Sequence, residues 1–271
     1  GYKMIFATSY GYVDKAFAAK YPDVLFEQAT GTDTSKNLAE YYGAGEDSIF
    51  LSGMAAGAAS KNGNIGYVAA FAIPEVLRHT DAFALGAQLT HPGAKIHVVW
   101  TNSWYDPGKE KKAAQSLVSQ GADVLGQNVD SPATGQVAEA DNLPWVGYDS
   151  NSSKFAPKSW LTGAVYNWGP YYLKRVKEAM AGTWKPGFYY GSIKDGFTSL
   201  APYGPRVSAA TKALIAAKQK AIEAGTFNPF TGPIKEQSGK VIVPAGKTLT
   251  VNQLYAVSWL ADGVVGSPTG K

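Results

Sequence analysis

The chain has 271 residues, 45% of them hydrophobic and 17% charged, so we predict a sizeable buried core and no extensive disorder. Its formal net charge is +4, with the basic residues spread along the chain, which argues against the stripe of Lys and Arg that a nucleic-acid groove requires. It contains no cysteine, which excludes disulfides, thiolate chemistry and Cys-ligated zinc and fits either a cytoplasmic or a periplasmic protein.

Short apolar runs alternate with amphipathic stretches over the first two thirds of the chain. The predicted strands are residues 4–8, 24–29, 65–70, 95–101, 123–127, 145–148 and 161–165. The predicted helices are residues 12–20, 47–60, 74 to about 89, 107–120 and 133–140. Strands that alternate with helices of this length form βαβ units, so the predicted fold class is α/β with a mainly parallel sheet.

The pattern changes after Trp160. We predict helices at about residues 169–181 and at residues 208–223, the second being rich in Ala and Lys. Between them the sequence is rich in Gly, Pro and aromatic residues, which is typical of loops with short strands. A hairpin is predicted from residues 240–244 and 248–251. No apolar run approaches the ~18 residues that a transmembrane helix requires.

The candidate site follows from the predicted sheet. Ligands of open parallel sheets bind beyond the carboxyl ends of the strands. The segments that follow the predicted strands are residues 9–12, 71–74, 102–106, 128–131, 149–151 and 166–168. They are rich in aromatic, Asp and Asn side chains. Aromatic faces stack on planar rings and carboxylates accept from amines, so this composition favours a flat heterocycle with exocyclic amines.

Each acidic residue in these segments has a second interpretation. Asp106 precedes Pro107, so N-capping of the following helix fits at least as well as ligand contact. Asp130 and Asp149 end strands and could stabilise turns through bonds from side chain to backbone. Trp104 is harder to explain as a core residue, because the strand leaves the core at that end.

Catalysis is disfavoured. His79, His91 and His97 all fall outside the selected segments. The sequence contains no Gly-x-Ser-x-Gly elbow, no Walker loop and no metal-ligand spacing, so we expect no cofactor and no metal. The pair of carboxylates to test for glycoside hydrolysis is Asp106 with Asp149.

Several stretches together resemble a known family. Residues 64–135 begin with NIGYVAAFAIPEV and end with VVWTNSWYDPGKEKKAAQSLVSQGADVLGQNVDSPATG, residues 161–172 read LTGAVYNWGPYY and residues 227–234 read FNPFTGPI. This combination is similar to the basic membrane protein family of solute-binding lipoproteins, which includes purine nucleoside receptors of bacterial ABC importers. The resemblance spans essentially the whole chain.

The resemblance implies a type I periplasmic-binding-protein fold, with two lobes joined by three crossings that close on the ligand by hinge motion. The first lobe would comprise residues 1–62 and about 170–271, and the second residues 63–169. Because family members usually begin with a lipoprotein signal and a strand–helix–strand–helix section, we expect such a section before this chain. The implied partners are a purine-type small molecule and an ABC transporter permease. The implied location is periplasmic or cell-surface, with membrane attachment only through a lipid anchor outside the chain.

Residue by residue, the resemblance implies that Trp104 stacks on the purine and that Asp149 bonds the ribose hydroxyls. Nucleoside-binding members carry a Lys where this chain has Tyr166, and the loss of that cation favours a free base such as adenine. A receptor for a sugar or a flavin, or an enzyme that hydrolyses nucleosides, stays as an alternative. The remaining candidate ligand-binding residues are Tyr10, Phe71, Tyr105, Asp106, Asp130, Asn167 and Trp168.

Overall fold

The computed structural model describes residues 1–270, and the elements below lie in that part of the chain. The helices are α1 (Lys15–Ala19), α2 (Gly45–Ala59), α3 (Pro74–Thr90), α4 (Pro107–Ser119), α5 (Ala133–Ala140), α6 (Trp168–Met180), α7 (Ala209–Glu223) and α8 (Val251–Leu254). The strands are β1 (Met4–Ala7), β2 (Leu25–Ala29), β3 (Leu38–Gly43), β4 (Asn64–Ala69), β5 (Lys95–Trp100), β6 (Val124–Asn128), β7 (Trp145–Gly147), β8 (Trp160–Tyr166), β9 (Phe188–Gly191), β10 (Thr198–Leu200), β11 (Ile234–Lys235), β12 (Val241–Val243) and β13 (Val264–Val265). Within residues 1–270, none of the helices has the length and apolar character needed to cross a membrane.

The chain divides into two compact units, of which the first comprises Gly1–Ala44 and Tyr166–Thr198. Its sheet has the order β1-β2-β3-β9, and neighbouring strands are parallel. Strand β3 is buried along its whole length. Helix α6 covers one face of the sheet, where the ring of Tyr171 stacks on that of Tyr41 with 4.8 Å between centroids. An aromatic layer therefore forms the core on this face.

The second unit comprises Gly45–Val165 and the chain from Ser199 onward. Its sheet has the order β10-β8-β7-β6-β4-β5-β13. Strands β4 to β8 pair in parallel, as do β5 and β13. The loops after β4, β5, β6 and β7 therefore leave from the same edge of the sheet, and the first three lead directly into α3, α4 and α5. The prediction of an α/β fold with a mainly parallel sheet is confirmed.

Helices α2 and α3 pack with their backbones in close contact. A side chain at Gly53 would collide with the carbonyl oxygen of Phe83, and one at Gly86 would collide with the carbonyl oxygen of Phe50. The small residues of α2 thus serve this helix–helix contact. Because α2 is buried on nearly all sides, its sequence has no amphipathic stripe.

One local prediction is wrong, and one strand was missed. The predicted pairing of residues 240–244 with 248–251 does not occur: β12 pairs antiparallel with β11, and Thr250 caps α8 through the backbone N–H of Gln253. Strand β3 was not predicted at all. It carries the buried carboxyl of Glu40 in a central strand, which breaks the apolar pattern expected there.

The observed units have other bounds than the predicted lobes of residues 1–62 plus about 170–271 and residues 63–169. Helix α2 packs on α3, and Asp81 in α3 accepts the backbone N–H of Ala261 at 2.7 Å, so α2 and the C-terminal region belong to the second unit. Lobes are bodies that move against each other, whereas these units are defined by packing. The predicted lobe boundary therefore stays a prediction.

Candidate functional site

Two half-buried aromatic rings lie at the carboxyl edge of the second unit's sheet. Phe71 follows β4 and Trp104 follows β5, two neighbouring strands. Their ring centroids are 5.5 Å apart and their planes meet at 62°. Both rings rest on the buried cluster that contains Trp145 and Trp160, and both keep part of their surface in solvent. They form an aromatic surface that packs on the core on one side and is exposed to solvent on the other.

The two loops that follow β5 and β6 are joined by hydrogen bonds. The backbone N–H of Asp130 donates to the carbonyl oxygen of Trp104 at 2.9 Å. The carboxylate of Glu110, in the first turn of α4, accepts the backbone N–H of Asp106 at 3.0 Å and the hydroxyl of Ser131 at 2.5 Å. Glu110 was not predicted from the sequence, because it lies one position beyond the N3 residue of a capping box and so matches no standard capping signal. These bonds hold Trp104 and Asp130 side by side.

Asp106 is the N-cap of α4, as one of its two interpretations predicts. Its carboxylate accepts the backbone N–H of Lys109 at 3.0 Å, and this bond is the main cause that lowers the pKa of Asp106. Pro107 occupies the first helical position, where its missing N–H costs nothing. A ligand contact of Asp106 stays a prediction. Tyr105 next to it is 65% exposed, and its contact with a ligand is likewise a prediction.

Asp149 follows β7 with a φ of 56°, in the left-handed region that Asn and Asp enter most readily among residues with a side chain. Asp149 is exposed to solvent at this edge, yet the protein atoms packed around its carboxyl desolvate it in part, and the charges of Glu75 and Asp130 add to this effect. Together they raise the pKa of Asp149 well above its usual range. A hydrogen bond from Tyr148 acts in the opposite direction. Sequence analysis named Asp149 but missed Glu75, which carries no local signal beyond its place in a first helical turn.

The edge is thus rich in hydrogen-bond acceptors. The pKa of Asp130 is also raised, first by desolvation and then by the charge of Glu110. Carboxyl groups accept bonds from N–H and O–H donors, and their like charges disfavour a phosphate. Residues 1–270 contain no group of three or more His, Cys, Asp or Glu side chains arranged to hold a metal ion. This edge can bind a neutral or cationic ligand that donates hydrogen bonds.

The other four candidates lie in the first unit. Tyr166 and Trp168 are stacked, with 5.0 Å between centroids, and belong to the aromatic cluster around Phe197. Asn167 between them is exposed, and its backbone N–H donates to the carbonyl oxygen of Phe197 at 2.8 Å. Tyr10 is 73% exposed in the loop after β1. The structure brings Tyr166 and Trp168 together, and ligand contact of all four stays a prediction.

Sequence analysis also missed a buried ionic group in the first unit. Glu27 in β2 accepts bonds from the hydroxyl of Tyr171 at 2.6 Å, from Nε of Arg175 at 2.5 Å and from Nε1 of Trp184 at 2.7 Å. Its partners lie about 150 positions along the chain, so no local pattern could have indicated them. With three donors on a fully buried carboxylate, the group holds α6 and its following loop on the sheet.

Comparison with known proteins identifies relatives along almost the whole chain. Residues 1–226 match the Bmp family, described as ABC transporter substrate-binding protein PnrA-like. The chain is 39% identical over 266 residues to a purine-binding protein of Brucella abortus, which covers 97% of this chain and 76% of that protein. It is 36% identical over 221 residues to a Haloferax volcanii protein named as the glucose-binding component of an ABC transporter, which covers 81% of this chain and 56% of that protein.

The fold has a counterpart among solved structures. A solute-binding protein of an ABC transporter system from Conexibacter woesei superimposes with a TM-score of 0.67 at 22% identity, covering 84% of this chain and 79% of that chain. This likeness agrees with the predicted periplasmic-binding-protein fold. Since the family match covers most of the sequence, the chain belongs to the Bmp family of PnrA-like ABC transporter substrate-binding proteins.

Proposed function

We propose that this protein captures a purine nucleobase or nucleoside, with adenine favoured, outside the cytoplasm and delivers it to the permease of an ABC importer. The observation that carries the proposal is the Phe71–Trp104 pair beside the carboxyl groups of Asp130 and Asp149. In the same proposal a lipid anchor attaches the protein to the membrane.

A purine can interact with both the aromatic rings and the carboxyl groups of this edge. Its flat ring gains about 1–3 kcal/mol when it stacks on an aromatic side chain. Its exocyclic amine and ring N–H groups donate hydrogen bonds, and Asp130 and Asp149 supply acceptors. An analogue that lacks these donors would leave the acceptors unpaired once the ligand covers them, which is the physical source of specificity. The Brucella abortus relative, named as purine-binding, supports the same ligand class.

A free base is favoured over a nucleoside because of one difference from the family pattern. Tyr166 stands where nucleoside-binding members carry a Lys, and no cation replaces it at that position. The acidic edge adds a second restriction, because a nucleotide would bring its phosphate close to Asp130 and Asp149.

A sugar is the second candidate ligand, since the Haloferax volcanii relative is named as glucose-binding. Sugar hydroxyls can also donate to carboxylates, and a pyranose can lie on an aromatic face. The two ligand classes differ in where their hydrogen-bond donors lie. Adenine has N–H donors in the plane of its rings, whereas glucose has O–H donors around its ring.

Isothermal titration of the full chain with adenine, guanosine, ribose, glucose and AMP tests the proposal. We expect adenine to bind most tightly, guanosine more weakly and AMP not at all. Asp149→Asn keeps a side chain that tolerates the left-handed backbone, so it isolates the carboxyl, and we expect at least a tenfold loss of adenine affinity. Binding of glucose or ribose without any purine would overturn the proposal.

The enzymatic alternative has a separate test. Incubation with adenosine followed by chromatography would detect free adenine if Asp106 and Asp149 acted as a catalytic pair. Because the carboxylate of Asp106 already caps α4, we expect no release of base. Turnover that disappears in Asp149→Ala would replace transport by hydrolysis as the function.

A further inference from the structure

Glu110 joins two loops at the ligand-binding edge although it cannot touch the ligand itself. The side chain is completely buried beneath the loops that follow β5 and β6. One carboxylate oxygen accepts the backbone N–H of Asp106, and the other accepts the hydroxyl of Ser131. The same hydroxyl in turn accepts the backbone N–H of Ala133 at 3.2 Å, so the connection continues into α5.

This carboxylate works against the electrostatics of the edge. Its charge disfavours ionisation of the neighbouring Asp130, and a buried carboxylate is itself costly. A neutral side chain could accept the backbone N–H of Asp106 without adding that repulsion. What a carboxylate provides is two strong acceptors in a fixed geometry, because charge-assisted hydrogen bonds are shorter and stronger than neutral ones. The arrangement therefore fixes the positions of the two loops, at the cost of repulsion between Glu110 and an ionised Asp130.

We propose that Glu110 is a positioning residue of the binding site, which holds the ring of Trp104 and the carboxyl of Asp130 at the separation that a planar ligand requires. In the described part of the chain, these loops share one further direct hydrogen bond, from the Asp130 N–H to the Trp104 carbonyl, which fixes their backbones at one point. The Glu110 bonds fix a second point, so the two together prevent rotation of one loop against the other. The proposal rests on the function proposed above for this edge.

The test uses Glu110→Gln, which keeps the shape of the side chain but exchanges one acceptor oxygen for an N–H donor. Its matched control is Glu139→Gln. Glu139 also joins two segments through its carboxylate, accepting the backbone N–H groups of Lys158 and Ser159 at 3.0 and 2.8 Å, but it lies near the other end of α5. Both variants lose comparable bonds, and the Glu110 variant alone disturbs the ligand-binding loops.

Two quantities are measured on the full chain. The first is the affinity for adenine by titration calorimetry. The second quantity is the fluorescence emission of Trp104, which is measured without ligand. It is obtained by subtracting the spectrum of the corresponding Trp104→Phe variant from that of each protein. Quenching by iodide then reports how exposed Trp104 is. The subtraction is required because the chain contains seven Trp residues.

We expect Glu110→Gln to weaken adenine binding by at least fivefold and to make Trp104 more accessible to iodide. We expect Glu139→Gln to leave both quantities within a factor of two, even where urea unfolding shows an equal loss of stability. An unchanged Trp104 signal in Glu110→Gln, or an equal loss of affinity in both variants, overturns the positioning role. If the unmodified protein binds no purine, the proposed function fails, and the emission measurement still decides whether Glu110 positions Trp104.

Discussion

The two units use aromatic residues at their strand ends in different ways. In the first unit, Tyr166 and Trp168 stack on each other and pack around Phe197, so their faces are largely occupied by protein. In the second unit, Phe71 and Trp104 meet edge to face and are half-buried next to carboxyl groups. Aromatic residues that end or follow strands of the same seven-stranded sheet thus belong to a layer of core in one unit and to an open surface in the other.

The difference shows that an aromatic residue after a strand is weak evidence for a ligand-binding wall. What distinguishes the second unit is the combination of a half-exposed ring, Asp149 in a left-handed conformation and carboxyl groups whose pKa values are raised. In the first unit the buried carboxylate of Glu27 is satisfied by its own protein partners. The following predictions test this contrast between core and binding edge.

The largest effect should come from Glu40, a buried carboxyl of the first unit. Burial is the main cause that raises the pKa of Glu40 from 4.5 to about 8. Between these values the unfolded chain is ionised while the folded protein keeps the proton. The free energy of unfolding should therefore fall as pH rises from 4.5 to 8, by at most about 1.4 kcal/mol per pH unit. Urea titrations at several pH values should show a shallower slope in Glu40→Gln, and the part that remains comes from other carboxyls with a raised pKa, such as that of Asp149.

The exposed Asp23, replaced by Asn, serves as the control because it is not among the charges that raise the pKa of Glu40, and the slope should persist in that variant. A Glu40→Gln protein with an unchanged pH profile would mean that the Glu40 carboxyl ionises freely, and the first unit would then hold a charged group where we assign a neutral one.

Glu27→Ala should be the most destabilising single change among the buried ion pairs. Arg175 would keep its bond to Glu178 but lose its buried partner, and the donors of Tyr171 and Trp184 would lose their acceptor. Breaking such a pair costs about 3–5 kcal/mol. Urea unfolding measures the loss. Asp33→Ala, which removes the exposed Lys15–Asp33 pair, should have no measurable effect.

Trp104→Ala and Trp168→Ala test the contrast directly. We expect Trp104→Ala to weaken adenine binding by more than tenfold, or about 1.4 kcal/mol, with a smaller loss of stability. Trp168→Ala should instead destabilise the fold by about 2 kcal/mol or more, since it empties part of the aromatic layer. Calorimetric titration and urea unfolding of both variants separate the two effects. A large affinity loss with intact stability in Trp168→Ala would make it a ligand contact, as the sequence predicts.

The smallest effect is expected for Asp106→Ala, which removes the cap of α4. The unfolding midpoint should drop slightly, and adenine affinity should change by less than twofold. Asp106→Asn keeps an acceptor for the Lys109 N–H and should restore the midpoint. Weaker adenine binding by Asp106→Asn, at normal stability, would assign Asp106 to the ligand.

Local patterns were sufficient for most of the second unit. The Asp106-Pro107 pair predicts both the start of α4 and its cap, and Pro74 predicts the start of α3, because these signals depend on neighbouring residues alone. The same reasoning placed Phe71, Trp104, Asp130 and Asp149 at one edge, since parallel strands share their carboxyl ends. Local patterns did not predict β3, because a Glu such as Glu40 normally indicates a solvent-facing position and here it is buried.

The sequence by itself determined the α/β class, the family and the strand ends at which a ligand could bind. Only the tertiary structure decided how each side chain at those ends is used. Periodicity and caps act over a few residues, whereas the Glu110–Ser131 bond, the partners of Glu27 and the desolvation of Asp149 join distant segments. Hydrogen bonding and desolvation depend on which groups meet in space, and that depends on how the whole chain packs.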